Sequence, residues 1–175
     1  MNKPIELFRY CPRCGQPLLG HAHANLVECD ACGLHYFLNA VVAAGAIITD
    51  DCGRVLFLRR AKDPGKGQLG LPGGFVNVGE TAEEAVRREV REEINLELET
   101  LTYLCSHPNP YAYLDIVYPV LDLYFTARPR ALDTLTVLEE AEAFYWLAPG
   151  EIRLDDIAFP AVRSAIAAWL AQQKR

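Results

Sequence analysis

No apolar run in the 175 residues approaches the roughly 18 needed to cross a membrane as a helix. The most apolar stretch, residues 40–49, is short enough to read as a buried strand. The N-terminal residues Met1-Asn2-Lys3-Pro4-Ile5-Glu6 lack the apolar core of a secretory signal, so the expected location is cytoplasmic. Basic residues are in the minority: 17 Lys and Arg stand against 23 Asp and Glu, for a net charge of −6. That balance argues against broad nonspecific attraction to nucleic acid or to an anionic membrane surface. It leaves phosphorylated small molecules open as substrates, because a bound metal ion can dominate the local field. Internal repeats and low-complexity segments are absent as well. What remains is a globular chain, 51% hydrophobic, with length enough for one ordinary domain and something small beside it.

The small part is the segment 1–38, which holds four of the six cysteines. They come as Cys11-Pro12-Arg13-Cys14-Gly15 and Cys29-Asp30-Ala31-Cys32-Gly33, two C-x2-C pairs each closed by a glycine turn. Fourteen residues, 15–28, separate the pairs, just under the roughly 15–20 usual for a four-cysteine zinc site. In a reducing compartment disulfides are disfavoured, and four thiolates suit tetrahedral Zn²⁺ as a closed, structural site. His21, His23 and His35 are surplus to that set and read as surface or loop residues. So short a segment builds little core, so the metal is expected to supply its folding energy. The segment resembles a zinc ribbon. Within it Lys3, Arg9 and Arg13 are balanced by Glu6, Glu28 and Asp30, which leaves no electrostatic footprint for a phosphate backbone. Nucleic acid is therefore not the expected partner, and a scaffolding or dimerising ribbon, with a homodimer, is the better fit.

Residues 41–60 read as two strands around the turn Asp50-Asp51-Cys52-Gly53, with Arg59-Arg60 ending the second. The loop Lys62-Asp63-Pro64-Gly65-Lys66-Gly67 follows; it is either a flexible connection or a cover for substrate phosphates, with Arg59 at its edge as a substrate contact. Strand-like composition returns at 98–106, at 115–128 and at 143–147. Between the first two, His107-Pro108-Asn109-Pro110-Tyr111-Ala112-Tyr113 reads as a stiff aromatic loop. Tyr111 and Tyr113 can stack on a substrate ring there, or simply pack the loop onto the domain. Pro160 opens a terminal helix with Val162, Ile166, Trp169 and Leu170 on one face.

The most informative stretch is 74–96, GFVNVGETAEEAVRREVREEINL. Thr81 and Glu84 have capping-box spacing, so a helix is predicted to start at Ala82, and Asn95 is suited to end it. Val86, Val90 and Ile94 form an apolar stripe for the core. Glu89, Glu92 and Glu93 share the neighbouring face. The bland reading is a solvated helix with i, i+4 pairs, Glu83–Arg87, Glu84–Arg88 and Arg88–Glu92. It does not explain the carboxylate trio, whose members repel by about 0.2–0.5 kcal/mol per pair unless a hard cation such as Mg²⁺ reverses the sign.

With the preceding glycine-rich loop, the stretch reads Gly74, five residues, Glu80, seven residues, then Arg88-Glu89-Val90-Arg91-Glu92-Glu93-Ile94-Asn95-Leu96. This resembles the Nudix box, G-x5-E-x7-R-E-U-x-E-E-x-G-U with U a bulky aliphatic residue, and departs from it only where Asn95 stands for Gly. The resemblance implies an α/β fold, a Nudix α/β/α sandwich with a mixed β-sheet, over 39–175 behind the zinc ribbon of 1–38. It implies a Mg²⁺- or Mn²⁺-dependent hydrolase that cleaves the diphosphate linkage of a nucleoside diphosphate derivative. Glu89, Glu92 and Glu93 match the metal-binding carboxylates, Arg88 the arginine that orients them, and Glu80 and Gly74 further metal-site positions. The proton acceptor is either Glu89 or a glutamate outside the box; of Glu139, Glu140 and Glu142, Glu140 is the one chosen. A non-catalytic nucleotide-binding or regulatory Nudix domain is the alternative, and the intact carboxylate trio favours the enzyme. A ribbon ahead of a Nudix domain is similar to NADH pyrophosphatase-like members. Those carry S-Q-P-W-P-F-P-x-S where this chain has Ser106-His107-Pro108-Asn109-Pro110-Tyr111, without Trp or Phe. An ADP-ribose-like substrate is therefore at least as well supported as NADH.

Overall fold

The computed structural model describes residues 2–18, 25–138 and 141–173. Its elements are β1 (Leu26–Cys29), β2 (Leu34–Phe37), β3 (Val41–Ile48), β4 (Val55–Arg60), β5 (Leu69–Gly70), β6 (Gly73–Phe75), α1 (Ala82–Ile94), β7 (Leu98–Tyr113), β8 (Ile116–Pro129), β9 (Ala141–Leu147) and α2 (Pro160–Gln173). They fall into two compact units, Met1–Val41 with Pro110–Val120, and Val42–Asn109 with Leu121–Arg175.

In the larger unit the strands form two sheets, ordered β6-β3-β8-β7 and β5-β4-β9. Alternation along β3 and β4 shows how the layers are built. Ala44, Ala46 and Ile48 of β3, with Leu56 and Leu58 of β4, pack with Val86, Val90 and Ile94 of α1. The intervening Ile47, Val55 and Phe57 pack with Ala161, Val162, Ala165, Ile166 and Trp169 of α2. Both faces of these strands are thus covered by helices, which is why they are nearly continuous runs of apolar residues. The expected α/β/α layering follows from that double burial.

The sequence places β3 and β4 as strands around one turn; beyond an isolated bridge between Thr49 and Val55 they part into the two sheets. The turn itself is fixed by Asp50, whose carboxylate accepts from the Cys52 and Arg54 backbone N–H groups and from the Arg54 guanidinium. A second departure concerns residues 107–113, expected as a loop and found as the outer part of strand β7. Pro108 and Pro110 are tolerated because β7 is the edge strand of its sheet, where a missing N–H breaks no ladder on the open side. The chain reverses at Leu114 and Asp115, with φ of 45° and 63°, a two-residue turn of the hand that matches strand twist. No helix among the described residues is long and apolar enough to cross a membrane.

The smaller unit contains the hairpin of β1 and β2, the bridge between Tyr10 and Pro17, and the bridge from Asn2 to Ile116. His35, surplus to the cysteines by sequence, lies 3.3 Å from the Glu28 carboxylate. His21 and His23 lie outside the described residues.

Candidate active site

Helix α1 begins where its caps dictate. Thr81 Oγ1 accepts from the Glu84 N–H, the Glu84 carboxylate accepts from the Thr81 N–H, and Asn95 ends the helix at φ 53°, ψ 38°. The left-handed residue is an asparagine, whose short polar side chain makes that conformation accessible. Its amide donates to the Thr134 carbonyl, which anchors the helix end.

Strand β6 delivers the glycines to this helix. It pairs with β3 in the register Ala43 to Phe75, Ala44 to Gly74 and Gly45 to Gly73. At Gly73, with φ of +146°, a Cβ would collide with the Ala44 carbonyl and lie 2.5 Å from the Gly45 Cα. At Gly74 a Cβ would run into the Glu89 carboxylate, 2.5 Å from its Cδ. The bare backbone therefore lets β3, β6 and α1 close up, and Gly73 N–H donates to Glu93 Oε2 at 2.9 Å.

Arg88 gathers the rest. Its Nε and Nη2 donate to the two oxygens of Glu80 at 2.8 and 3.0 Å, and its Nη1 to Glu89 at 2.7 Å and Glu92 at 3.1 Å. Nη2 also donates to the Phe75 carbonyl at 3.0 Å. One guanidinium fork thus holds three carboxylates and the end of β6, a task its planar array of donors suits and an ammonium would not match. Of the anticipated i, i+4 pairs, Arg88–Glu92 is made, while Glu84 serves the cap and Arg87 donates to the Leu98 carbonyl. The Glu92 side chain is 60% exposed and that of Glu89 only 16%. Glu93 is buried.

The arginine has an electrostatic consequence. Arg88 beside Glu80, with the Asn77 N–H, holds the Glu80 carboxyl at about 2, below its ordinary 4.5. Glu80 and then Glu89 in turn push the Arg88 guanidinium up. A carboxyl depressed in the folded state binds its proton more readily when unfolded, so this stabilisation is complete above pH 4.5 and is lost as pH falls toward 2. Thermal melts of wild type and Glu80→Gln should therefore differ most above pH 5 and converge below about pH 3. A gap that stays constant across that range would contradict the Arg88–Glu80 pairing.

The oxygen donors fit a hard divalent cation in kind, and the cradle at Gly74 leaves space for the Glu89 carboxylate rather than a side chain. Among the described residues, the four cysteines bring four potential ligand atoms within 4.8 Å of one another. The Glu89 and Glu92 carboxylates are held by Arg88, and Glu93 accepts from the Gly73 N–H. Among the cysteines, Cys11 Sγ lies 3.6 Å from Cys32 Sγ, and Cys14 Sγ 3.7 Å from Cys29 Sγ. Zinc–sulfur bonds of about 2.3 Å in a tetrahedron give edges of roughly 3.8 Å. Gly15 and Gly33, at φ of 76° and 68°, close the two knuckles by donating to the Cys11 and Cys29 carbonyls.

Of the other expected residues, Arg59 donates from Nε to the Tyr145 hydroxyl at 3.0 Å and from Nη1 to the Gly67 carbonyl, with its guanidinium over the Tyr145 ring. Tyr145 was missed in the sequence because its partner lies on a strand 86 residues away. Tyr111 and Tyr113 belong to the compact unit of the cysteines and stand with ring centroids 6.5 Å apart. Glu140 lies outside the described residues. Also unforeseen is a buried polar set on β7 and β8, in which Asn109 and Tyr124 both donate to Asp122. Its signal is the period-two run Val120, Asp122, Tyr124, with a carboxylate in the inward register.

The NUDIX domain family profile matches residues 40–170. Human mitochondrial NAD(P)H pyrophosphatase NUDT13 is 28% identical over 147 residues, 84% of this chain and 40% of that protein. The ADP-ribose pyrophosphatase of Methanocaldococcus jannaschii is 38% identical over 91 residues, 50% of this chain and 53% of that protein. The chain thus spans about half the length of these curated relatives, or less. A crystal structure of a NUDIX hydrolase from Nitrosomonas europaea superposes with a TM-score of 0.74 at 23% identity, over 95% of this chain and 92% of that one, and so shares the fold.

Proposed function

Since the chain belongs to the NUDIX domain family, we propose that it is a metal-dependent hydrolase cleaving the diphosphate linkage of a nucleoside diphosphate derivative. The observation that carries this reading is the single guanidinium of Arg88 holding Glu80, Glu89 and Glu92 against β6, with Glu93 tied to the Gly73 N–H. Three like charges within one turn and a half of helix serve no packing purpose and suit a cation-binding face. Glu89, Glu92 and Glu93 are the residues we assign to hold Mg²⁺ or Mn²⁺, with the Gly74 carbonyl as a further donor. When bound, the ion supplies charge neutralisation at the diphosphate and a more acidic water.

The chain's own residues do the rest. Glu80, expected among the ligands, spends both oxygens on N–H donors and anchors the arginine. Arg88 holds and orients Glu89 and Glu92. Arg59, pre-set by Tyr145 and the Gly67 carbonyl, is assigned to the anionic substrate. Glu140 is assigned as proton acceptor from its place in the sequence just before β9. The four cysteines are assigned to a structural Zn²⁺ in a ribbon over 1–38, ahead of a catalytic domain over 39–175.

For the substrate, the activities named for the relatives, on NAD(P)H and on ADP-ribose, both support a nucleoside diphosphate linked to a second group. The segment from Ser106 to Tyr111 lacks the aromatic residues of the NADH-selective motif. Ring stacking is worth about 0.5–1.5 kcal/mol beyond area burial, enough to rank substrates but not to exclude them. Activity is expected on several adenosine diphosphate derivatives, with ADP-ribose at least equal to NADH and nucleoside triphosphates poor. A panel of ADP-ribose, NADH, FAD, diadenosine polyphosphates and triphosphates, followed by product release, tests this. Exclusive NADH cleavage would overturn the ranking, and cleavage of triphosphates alone would overturn the substrate class.

A further inference from the structure

Asp122 is 6% exposed, on a strand face that otherwise carries Val120 and Tyr124. Its Oδ2 accepts from the Tyr124 hydroxyl at 2.8 Å and from Asn109 Nδ2 at 2.9 Å. His107, on the same face of β7, has a buried Nε2 without a hydrogen-bond partner. Burial pushes the Asp122 carboxyl up, and the bonds from Tyr124 and Asn109, with the nearby His107, pull it back. Such a group is a poor device for stability alone. A buried carboxylate costs desolvation, and a well-packed apolar residue of the same volume commonly serves a fold as well or better.

What the carboxylate does is fix one ring. The Tyr124 ring borders Gly45: a Cβ there would make ordinary contact with its Cε1 at 3.6 Å and press on the Pro72 carbonyl at 3.2 Å. Gly45 is the β3 residue paired with Gly73, and the Ala46 N–H holds the Pro72 carbonyl at 3.0 Å. Gly73 presents its N–H to Glu93, and Gly74 faces Glu89. A contiguous path therefore runs from Asp122 through the Tyr124 ring and Gly45 to the two carboxylates. A hydroxyl bonded to a carboxylate is held roughly twice as strongly as one bonded to a neutral group. Close-packed interiors pass a displacement on instead of absorbing it.

We propose that Asp122 and Tyr124 are positioning residues, a bracket that fixes the crossing of β3 and β6 at Gly45 and Gly73 and through it the placement of Glu89 and Glu93. This rests on the assignment of those carboxylates as metal ligands. Tyr124→Phe keeps the ring but frees it from Asp122. Asp122→Asn keeps an oxygen that can accept from Tyr124 and loses the charge.

The test is a Mn²⁺ titration of the zinc-loaded full chain, read by the free-ion EPR signal, beside Mn²⁺ activation of ADP-ribose hydrolysis and thermal melts. Tyr124→Phe is expected to weaken Mn²⁺ binding and shift activation by about 10-fold. Its KM for substrate should stay within about twofold of wild type. Asp122→Asn falls between the two. Val162→Ala, a core truncation in α2, lowers the melting temperature without moving the Mn²⁺ constant. Wild-type Mn²⁺ affinity in Tyr124→Phe overturns the bracket, as does equal weakening in Val162→Ala. If Tyr124→Phe does not fold, Asp122→Asn carries the same comparison. Glu89→Gln separates the two readings. Loss of Mn²⁺ there with none in Tyr124→Phe removes the bracket alone, whereas wild-type binding in Glu89→Gln removes the carboxylate assignment beneath it.

Discussion

Glu93→Gln and Glu92→Gln are each expected to lower kcat by roughly 10²–10³-fold while the fold persists. The two positions test the same idea from opposite environments. Glu92 is mostly exposed and its only described bond is to Arg88, so neutralising it costs little structurally and relieves repulsion within the helix. Glu93 is buried, but glutamine retains an oxygen that can accept from the Gly73 N–H. In both variants a charge is removed while the shape is kept, so the loss of turnover reads the charge. Thermal melts establish the fold, and turnover is measured at saturating substrate across a Mg²⁺ series. Near wild-type turnover in either variant at limiting Mg²⁺ would falsify the assignment of the carboxylates.

One tightly held zinc per chain is the second large effect expected. Metal binding to structural four-ligand sites is worth about 10–16 kcal/mol at neutral pH, more than a small hairpin gains from its own core. Within the hairpin concerned only Val27 and Cys29 are buried. Cys29→Ser, or prolonged chelation, should therefore abolish amide protection across Leu26–Cys29 and Leu34–Phe37. Elemental analysis of dialysed protein gives the stoichiometry. Zinc well below one equivalent, with the buried thiols of Cys11 and Cys29 freely reactive to a thiol probe, would remove the site.

The sequence alone determined what depends on neighbours a few positions apart. The limits of α1 follow from Thr81, Glu84 and Asn95, because a cap is a contact between residues three or four positions apart. The stripe of Val86, Val90 and Ile94 follows from helical period, and all three are fully buried. The four thiols could be grouped because each pair is local and two glycines close the turns. The box pattern was legible for the same reason, its residues being strung along one loop and one helix.

Only the tertiary structure decided the rest, and each case turns on partners distant in sequence. Residues 107–113 looked like a loop because proline opposes pairing, and they form a strand because β7 lies at the edge of its sheet, a position that no local pattern encodes. β3 and β4 looked like one hairpin, and they part because each finds other partners, β3 next to β6 and β8, β4 next to β5 and β9. The helix pattern placed Arg88 near Glu92; the fold of the preceding loop brought Glu80 and the Phe75 carbonyl onto the same guanidinium. The approach of Tyr124 to Gly45, on strands nearly 80 residues apart, is set by sheet order. Short-range hydrogen bonds and periodicity are written in consecutive residues, whereas sheet order and backbone crossings are settled by the packing of the whole chain.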